Sequence, residues 1–152
     1  MKKICVITPN YPHPKFPEYG AFVEKHVREW DRMGSHVDVV APISVPTIFR
    51  TFLNDKEPVK IAGRQVVRPI YLSVSNKKIG PVQFHKMSRY FFVQAAMRGV
   101  KRLNEVPDLF YGEFLLPGGI AAYEAGRKYN RPICLDLGES RLIERMNREE
   151  LE

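Results

Sequence analysis

Hydrophobic and polar positions along the 152-residue chain alternate between two periods. Residues 3–8 (KICVIT) are a short, β-branched apolar run without polar alternation, the pattern of a strand covered on both faces. From Gly20 onward Phe22, Val23, His26, Val27, Trp30 and Met33 recur at i, i+3/i+4, with Glu24, Lys25, Arg28, Glu29, Asp31 and Arg32 between them. That spacing predicts one amphipathic helix, with Gly34 placed to end it. HVDVVAP (36–42) alternates and stops at Pro42, which predicts a second strand. Residues 3–42 therefore read as a βαβ unit with a right-handed crossover.

Beyond it, residues 43–60 lie between prolines and read as loop with a helical turn at most. RQVVRPIY (64–71) is strand-like and ended by Pro69. Phe84, Met87, Phe91, Ala95 and Leu103 predict a long helix over 83–103 with a basic outer face. Residues 107–111 (PDLFY) read as a short strand followed by a GEFLLPGG loop. Gly118-Gly119 open a helix, ICLDL (133–137) reads as another buried strand, and residues 139–152 as a charged helix. Strands alternating with helices predict a single α/β domain over 1–152: a Rossmann-like, doubly wound, mostly parallel sheet with helices on both faces.

The first strand-to-helix connection, residues 8–20, is anomalous. It carries Pro9, Pro12, Pro14 and Pro17, and runs well beyond the usual span of about 2–6 residues. Prolines restrict φ and lower the entropic cost of one fixed loop shape. His13, Phe16 and Tyr19 offer flat surfaces to a ligand. In an open parallel sheet ligands bind beyond the carboxyl ends of the strands. Three loops are expected there, ending in Tyr19-Gly20, in Pro117-Gly118-Gly119 and in Gly138-Glu139-Ser140. Each leads into a helix N-terminus, where free N–H groups favour an anion. Turn geometry alone would also explain each glycine. Ser140 either caps the last helix or, with Glu139, contributes to a ligand site.

Several chemistries lack their patterns. GxGxxG does not follow the first strand, and GxxxxGK[ST], GxSxG and HExxH are absent. No histidine pair has metal-ligand spacing, so no metal is expected, and His26 reads as a packed core residue. Cys5 and Cys134 lie in apolar runs without CxxC spacing and read as buried thiols.

Charge then changes the picture. The net charge is +7, but Pro58 to Asn104 holds ten basic residues and no acid, which leaves the rest of the chain at −3. The excess predicts a positive face, with Lys86, Arg89, Arg98, Lys101 and Arg102 on the long helix. Such a face suits an anionic membrane surface or a phosphorylated ligand, or is a solvated rim. No zinc-finger, helix-turn-helix or RNP-like pattern supports nucleic acid. The apolar run after Lys2-Lys3 is too short for a secretory signal, which predicts a cytoplasmic, at most membrane-peripheral, protein.

ITPNYPHPKFPEYGAFVEKHVREWDRMGSHVDVVAP, followed by PDLFYGEFLLPGGIAAYEAGRKYNRPICLDLGES, resembles the N-terminal domain of the retaining GT-B-fold glycosyltransferases of family 4. The ordered pair covers about half of the chain. The resemblance implies sugar transfer from a nucleotide-sugar donor to a saccharide or lipid-linked acceptor, with no separate cofactor. The acceptor would lie mainly on this domain, with Gly20, Ala21 and Phe22 facing the donor phosphates and Tyr19, Pro117, Gly118, Gly119, Gly138, Glu139 and Ser140 near the substrates. The nucleotide would lie mainly on a C-terminal domain of similar size, expected in cis or as a separate chain; this sequence reads as a truncated part, inactive alone. Members often place a His after the strand that here is DLFY and a His-Gly pair after the strand that here is ICLDL. This chain has Glu113 and Leu137-Gly138 there. Glu113 is the candidate catalytic residue, since a carboxylate accepts a hydrogen bond from a sugar hydroxyl and stabilises positive charge at an anomeric carbon. The alternative for Glu113 is a solvated loop acid. The alternative for the chain is a basic-faced, non-enzymatic binding module.

Overall fold

The structure, a computed structural model, describes residues 1–13, 16–47, 59–61, 63–73 and 84–138, without the side chains of 59–61, 84 and 85. Glu139, Ser140, Pro14 and the charged helix expected over 139–152 lie outside the described residues.

Strand β1 (Lys3–Ile7) is central. Helix α1 (Ala21–Arg32) leads to β2 (His36–Val40), which pairs in parallel with β1 from Lys3↔His36 to Ile7↔Val40. After the short β3 (Ile43–Ser44) and β4 (Val59–Ile61) come β5 (Arg64–Val67), β6 (Ile70–Tyr71) and α2 (Phe84–Val100). β7 (Leu109–Glu113), a turn over Phe114–Gly119, α3 (Ile120–Tyr129) and β8 (Ile133–Asp136) follow. The sheet order is β4-β5-β2-β1-β7-β8; five strands are parallel and only β4 is antiparallel, against β5. The order reverses between β1 and β7, so the crevice beyond Ile7 and Glu113 is the switch point at which such sheets bind ligands.

Alternation within strands separates two cores. Val6, Val37, Val39, Val66 and Tyr111 face α1, where Val23 and Val27 meet them. Cys5, Ile7, Val40, Val67 and Phe110 face the opposite way, onto α2 and α3. The small residues Ala121, Ala122 and Ala125 let α3 lie close to β7. A Cβ on Gly112 would stand 2.6 Å from the Gly119 Cα and 3.0 Å from the Ala122 Cβ, so glycine is required there.

The doubly wound α/β prediction holds, with local corrections. RQVVRPIY divides at Pro69 into β5 and β6, and β6 pairs with β3 in a small second sheet, because proline has no N–H to donate. α2 buries Phe92, Val93, Ala96 and Val100 as well as Ala95, while Met87 is exposed and Phe91 half-buried. Its apolar residues are too many to mark one face by spacing alone. β8 is a sheet edge, and Ile133 and Cys134 are exposed rather than buried. Gly34 has φ +86°, as its helix-ending role predicts. His26 is exposed, since α1 turns Val23, Glu24 and Val27 inward instead.

That inward Glu24 belongs to a buried polar network. Arg64 Nη1 donates to both Glu24 oxygens (2.9 and 2.8 Å) and to the Tyr11 hydroxyl (3.2 Å). Tyr11 in turn donates to Glu24, Arg64 Nη2 to Asp31, and Arg28 Nε to Glu24 at 2.7 Å. Burial works against the Glu24 charge, but the Tyr11 and Arg28 hydrogen bonds and the Arg64 charge outweigh it and hold its pKa below the usual carboxylate range. Removing one member of a buried pair strands the other charge. Arg64, 3% exposed, is therefore expected to tolerate no apolar replacement: Arg64→Leu should lower unfolding free energy by about 3–5 kcal/mol in urea titration. A loss under about 1 kcal/mol would show the pair to be no more than an exposed one.

Candidate functional site

The connection after β1 is held in one shape by identifiable bonds. Thr8 N–H donates to Val40 O at 3.1 Å, and the Thr8 hydroxyl bonds both the N–H and the carbonyl of Asn10. His13 and Phe16 pair backbone to backbone, and Tyr19 N–H donates to Phe16 O. Gly20 then takes φ +75°, and a Cβ there would stand 2.6 Å from Asn10 C and O. Gly20 is glycine because its own loop packs against it and because of its positive φ; the expected room for a phosphate is filled by Asn10. At Gly118 a Cβ would meet Glu113 O at 2.2 Å and Ile7 O at 2.8 Å, so this glycine lets the turn after β7 close over the ends of β1 and β7.

A cavity of about 430 Å³ borders this connection over the carboxyl ends of β1, β2 and β5, walled by Tyr11, His13, Phe16, Tyr19, Tyr71 and Arg68. Its size suits a small ligand. Tyr19, expected as a substrate-facing residue, lines it, whereas Glu113 does not.

Glu113 lies one strand away from this cavity, at the end of β7. The sequence placed Glu113 in a loop, but it is the last residue of β7 and only 1% exposed. Continuation of the strand through Gly112 carries it inward on the same side as Tyr111. One carboxylate oxygen, Oε2, is buried with no hydrogen-bond partner. Burial first, and then the Asp136 charge, push the Glu113 pKa up to about 7, against a smaller opposing effect of a Tyr111 hydrogen bond. Tyr111 OH donates to Asp136 Oδ2 at 3.2 Å, and Gly138 N–H donates to Asp136 Oδ1 at 2.8 Å. Candidate Gly138 therefore orients the acid beside Glu113. Phe22 packs on Phe114 with ring centroids 5.9 Å apart, which brings the start of α1 to the turn after β7. That turn contains Pro117, Gly118 and Gly119, so Phe22 packs against the segment that carries them.

Spacing missed a grouping that the fold creates. His26 on α1, Glu113 on β7 and Asp136 on β8 each bring a ligand atom within 4.8 Å of the others. Their separations of 87 and 23 residues fit no local motif, and only the adjacency of β7 and β8 beneath α1 joins them. Two acids and an imidazole are donors that a divalent cation accepts.

Linkage fixes the sign of the Glu113 effect. Between the ordinary carboxyl pKa of 4.5 and about 7 the folded protein binds the proton that the unfolded chain has released. Stability is therefore expected to fall as pH rises across that window and to level off above it. Glu113→Gln should remove this slope in denaturation midpoints measured from pH 4.5 to 8; an unchanged slope would refute the assignment.

No protein-family model matches the chain. It is 28% identical over 143 residues to a Bacillus subtilis (strain 168) protein named "Putative teichuronic acid biosynthesis glycosyltransferase TuaC". The match covers 89% of this chain but 36% of that protein, so the chain spans about a third of the length of its relative. The likeness supports a glycosyltransferase relationship.

Proposed function

We propose that this chain is the N-terminal, acceptor-side part of a GT-B-fold, retaining glycosyltransferase. It would move a sugar from a nucleotide-sugar donor to a glycan or lipid-linked acceptor. The observation that carries the reading is Glu113, a buried acid with one free oxygen at the switch point, in a chain related to a glycosyltransferase. A carboxyl that titrates near pH 7 is present in both forms at neutrality. Protonated, it donates to a sugar oxygen. Ionised, it accepts from a hydroxyl and offsets positive charge developing at the anomeric carbon. Tyr111, Asp136 and Gly138 fix its surroundings through the contacts described above. Ala21 and Phe22, at the start of α1, face the donor phosphates, since a helix N-terminus favours an anion. The opposite wall of the cleft, with the nucleotide, belongs to a further domain.

The test is release of nucleoside diphosphate from a panel of UDP-, GDP- and ADP-sugars in the presence of saccharide acceptors. Residues 1–152 alone are expected to stay at background. Supplied with a donor-binding domain in cis or in trans, they are expected to turn over, and Glu113→Gln should lower kcat by about 10²–10³ with KM little changed. Turnover by the isolated chain, or a fully active Glu113→Gln protein, would overturn the reading.

One observation favours a peripheral membrane contact alongside this role. Lys86, Arg89, Arg98, Lys101 and Lys128 border a groove between α2 and α3, beside the exposed rings and thioethers of Tyr90 and Met87. No helix among the described residues is long and apolar enough to cross a membrane. Basic residues near an anionic surface contribute about 1 kcal/mol each, and apolar neighbours can dip into the headgroup layer. Sedimentation with vesicles containing 30 mol% anionic lipid, about a typical anionic fraction, should carry the protein down at low salt and not at high salt; equal partition onto neutral vesicles would exclude an electrostatic contact.

A further inference from the structure

The cavity over β1, β2 and β5 contains a cation that no carboxylate among the described residues neutralises. Arg64 opens β5 and Arg68 follows its last residue, and both side chains reach Tyr11, which belongs to the core on the α1 side. Arg64 is met by Glu24 and Asp31. Arg68 is met by no carboxylate among the described residues. Its Nη2 donates to Pro12 O at 2.5 Å, and its Cζ lies 5.8 Å from the centre of the Tyr11 ring. Its Nε is buried without an acceptor. Arg64 shares that orphaned Nε, but Glu24 and Asp31 balance its charge, whereas among the described residues no acid pairs with Arg68. Tyr11 cannot supply the missing charge, because burial and then its hydrogen bond to Glu24 raise its pKa far above neutrality.

An arginine does not escape the cost of burial by losing its proton. A half-buried guanidinium therefore stays charged, and a desolvated charge without a partner is expensive. Arg68 nonetheless lines an open cavity, whose walls also include the aromatic residues Tyr19 and Tyr71 and the hydroxyl residues Ser44 and Thr47. Rings and hydroxyls are what a sugar needs, and the guanidinium adds a fork for one carboxylate or phosphate.

We propose that this cavity binds a saccharide carrying an anionic group, a carboxylate or a phosphate, and that Arg68 pairs with that group. The substrate class rests on the glycosyltransferase reading, under which this is the acceptor pocket. Recognition of the charge requires no transfer.

Titration of the 152-residue chain with glucose, glucuronate and glucose 1-phosphate, followed by calorimetry and by amide shifts, separates the possibilities. At least one charged sugar is expected to bind tenfold or more tightly than glucose; which of the two does so distinguishes a carboxylate from a phosphate. Arg68→Gln should bring that sugar down to the glucose level and leave glucose unchanged, and Arg68→Lys should keep part of the preference. In the parent protein the shifts should cluster at Asn10, Ser44 and Tyr71, which keeps the test decisive if Arg68→Gln fails to fold. Equal affinity for charged and neutral sugars, no binding of any of the three, a preference that survives Arg68→Gln, or shifts confined to the α2–α3 groove would each overturn the proposal. Absence of glycosyl transfer with the charge preference intact would remove the enzymatic reading alone.

Discussion

The buried pairing of Arg64 with Glu24 is the constraint on which the site depends. It joins three segments that the sheet does not connect: β5, α1 and, through the Tyr11 hydroxyl, the proline-rich connection. Prolines make that connection stiff but do not say where it lies. The network does, because Tyr11 can satisfy its hydroxyl only by meeting Glu24 and Arg64. Such a network, half satisfied, would be worse than an apolar core, so its members stand or fall together. With Tyr11 anchored, Asn10 reaches Gly20, and the start of α1 is brought to the turn after β7.

The other side of the switch point is built by close approach. Gly112 and Gly118 allow α3 and the turn after β7 to sit on the strand ends. On the α1 side the acid at the end of β7 is left buried, 1% exposed, and that burial raises its pKa. A perturbed acid in a cleft is where chemistry is expected. Here the perturbation has a stated origin: desolvation, followed by a second carboxylate one strand away.

Local periodicity made the architecture legible. The uninterrupted apolar run at Ile4–Ile7 marked the central strand, and Val23 and Val27 marked the buried stripe of α1. Periodicity also misled where neighbours decide. The β8 run is apolar yet forms an edge, and α2 is apolar on too many sides to reveal the face it buries. Of the site, Glu113 was legible as a residue but not as a buried one, because a glycine before it reads as a loop. His26 with Asp136, and Tyr11 with Arg64 and Arg68, were not legible, since their meeting depends on strand order.

Tyr11 shows how one side chain can divide two functions. Its hydroxyl closes the structural network around Arg64, and its ring face meets the guanidinium of Arg68. Two arginines that meet the same tyrosine thus differ in their supply of carboxylates among the described residues. α1 presents Glu24 and Asp31 within reach of the first and none within reach of the second. If both positions served stability alone, selection against desolvated charge would leave no reason for an arginine at 68, where an apolar side chain could cover Tyr11 at lower cost. A cation kept at the wall of a cavity without its counter-charge is a group whose partner arrives with the ligand.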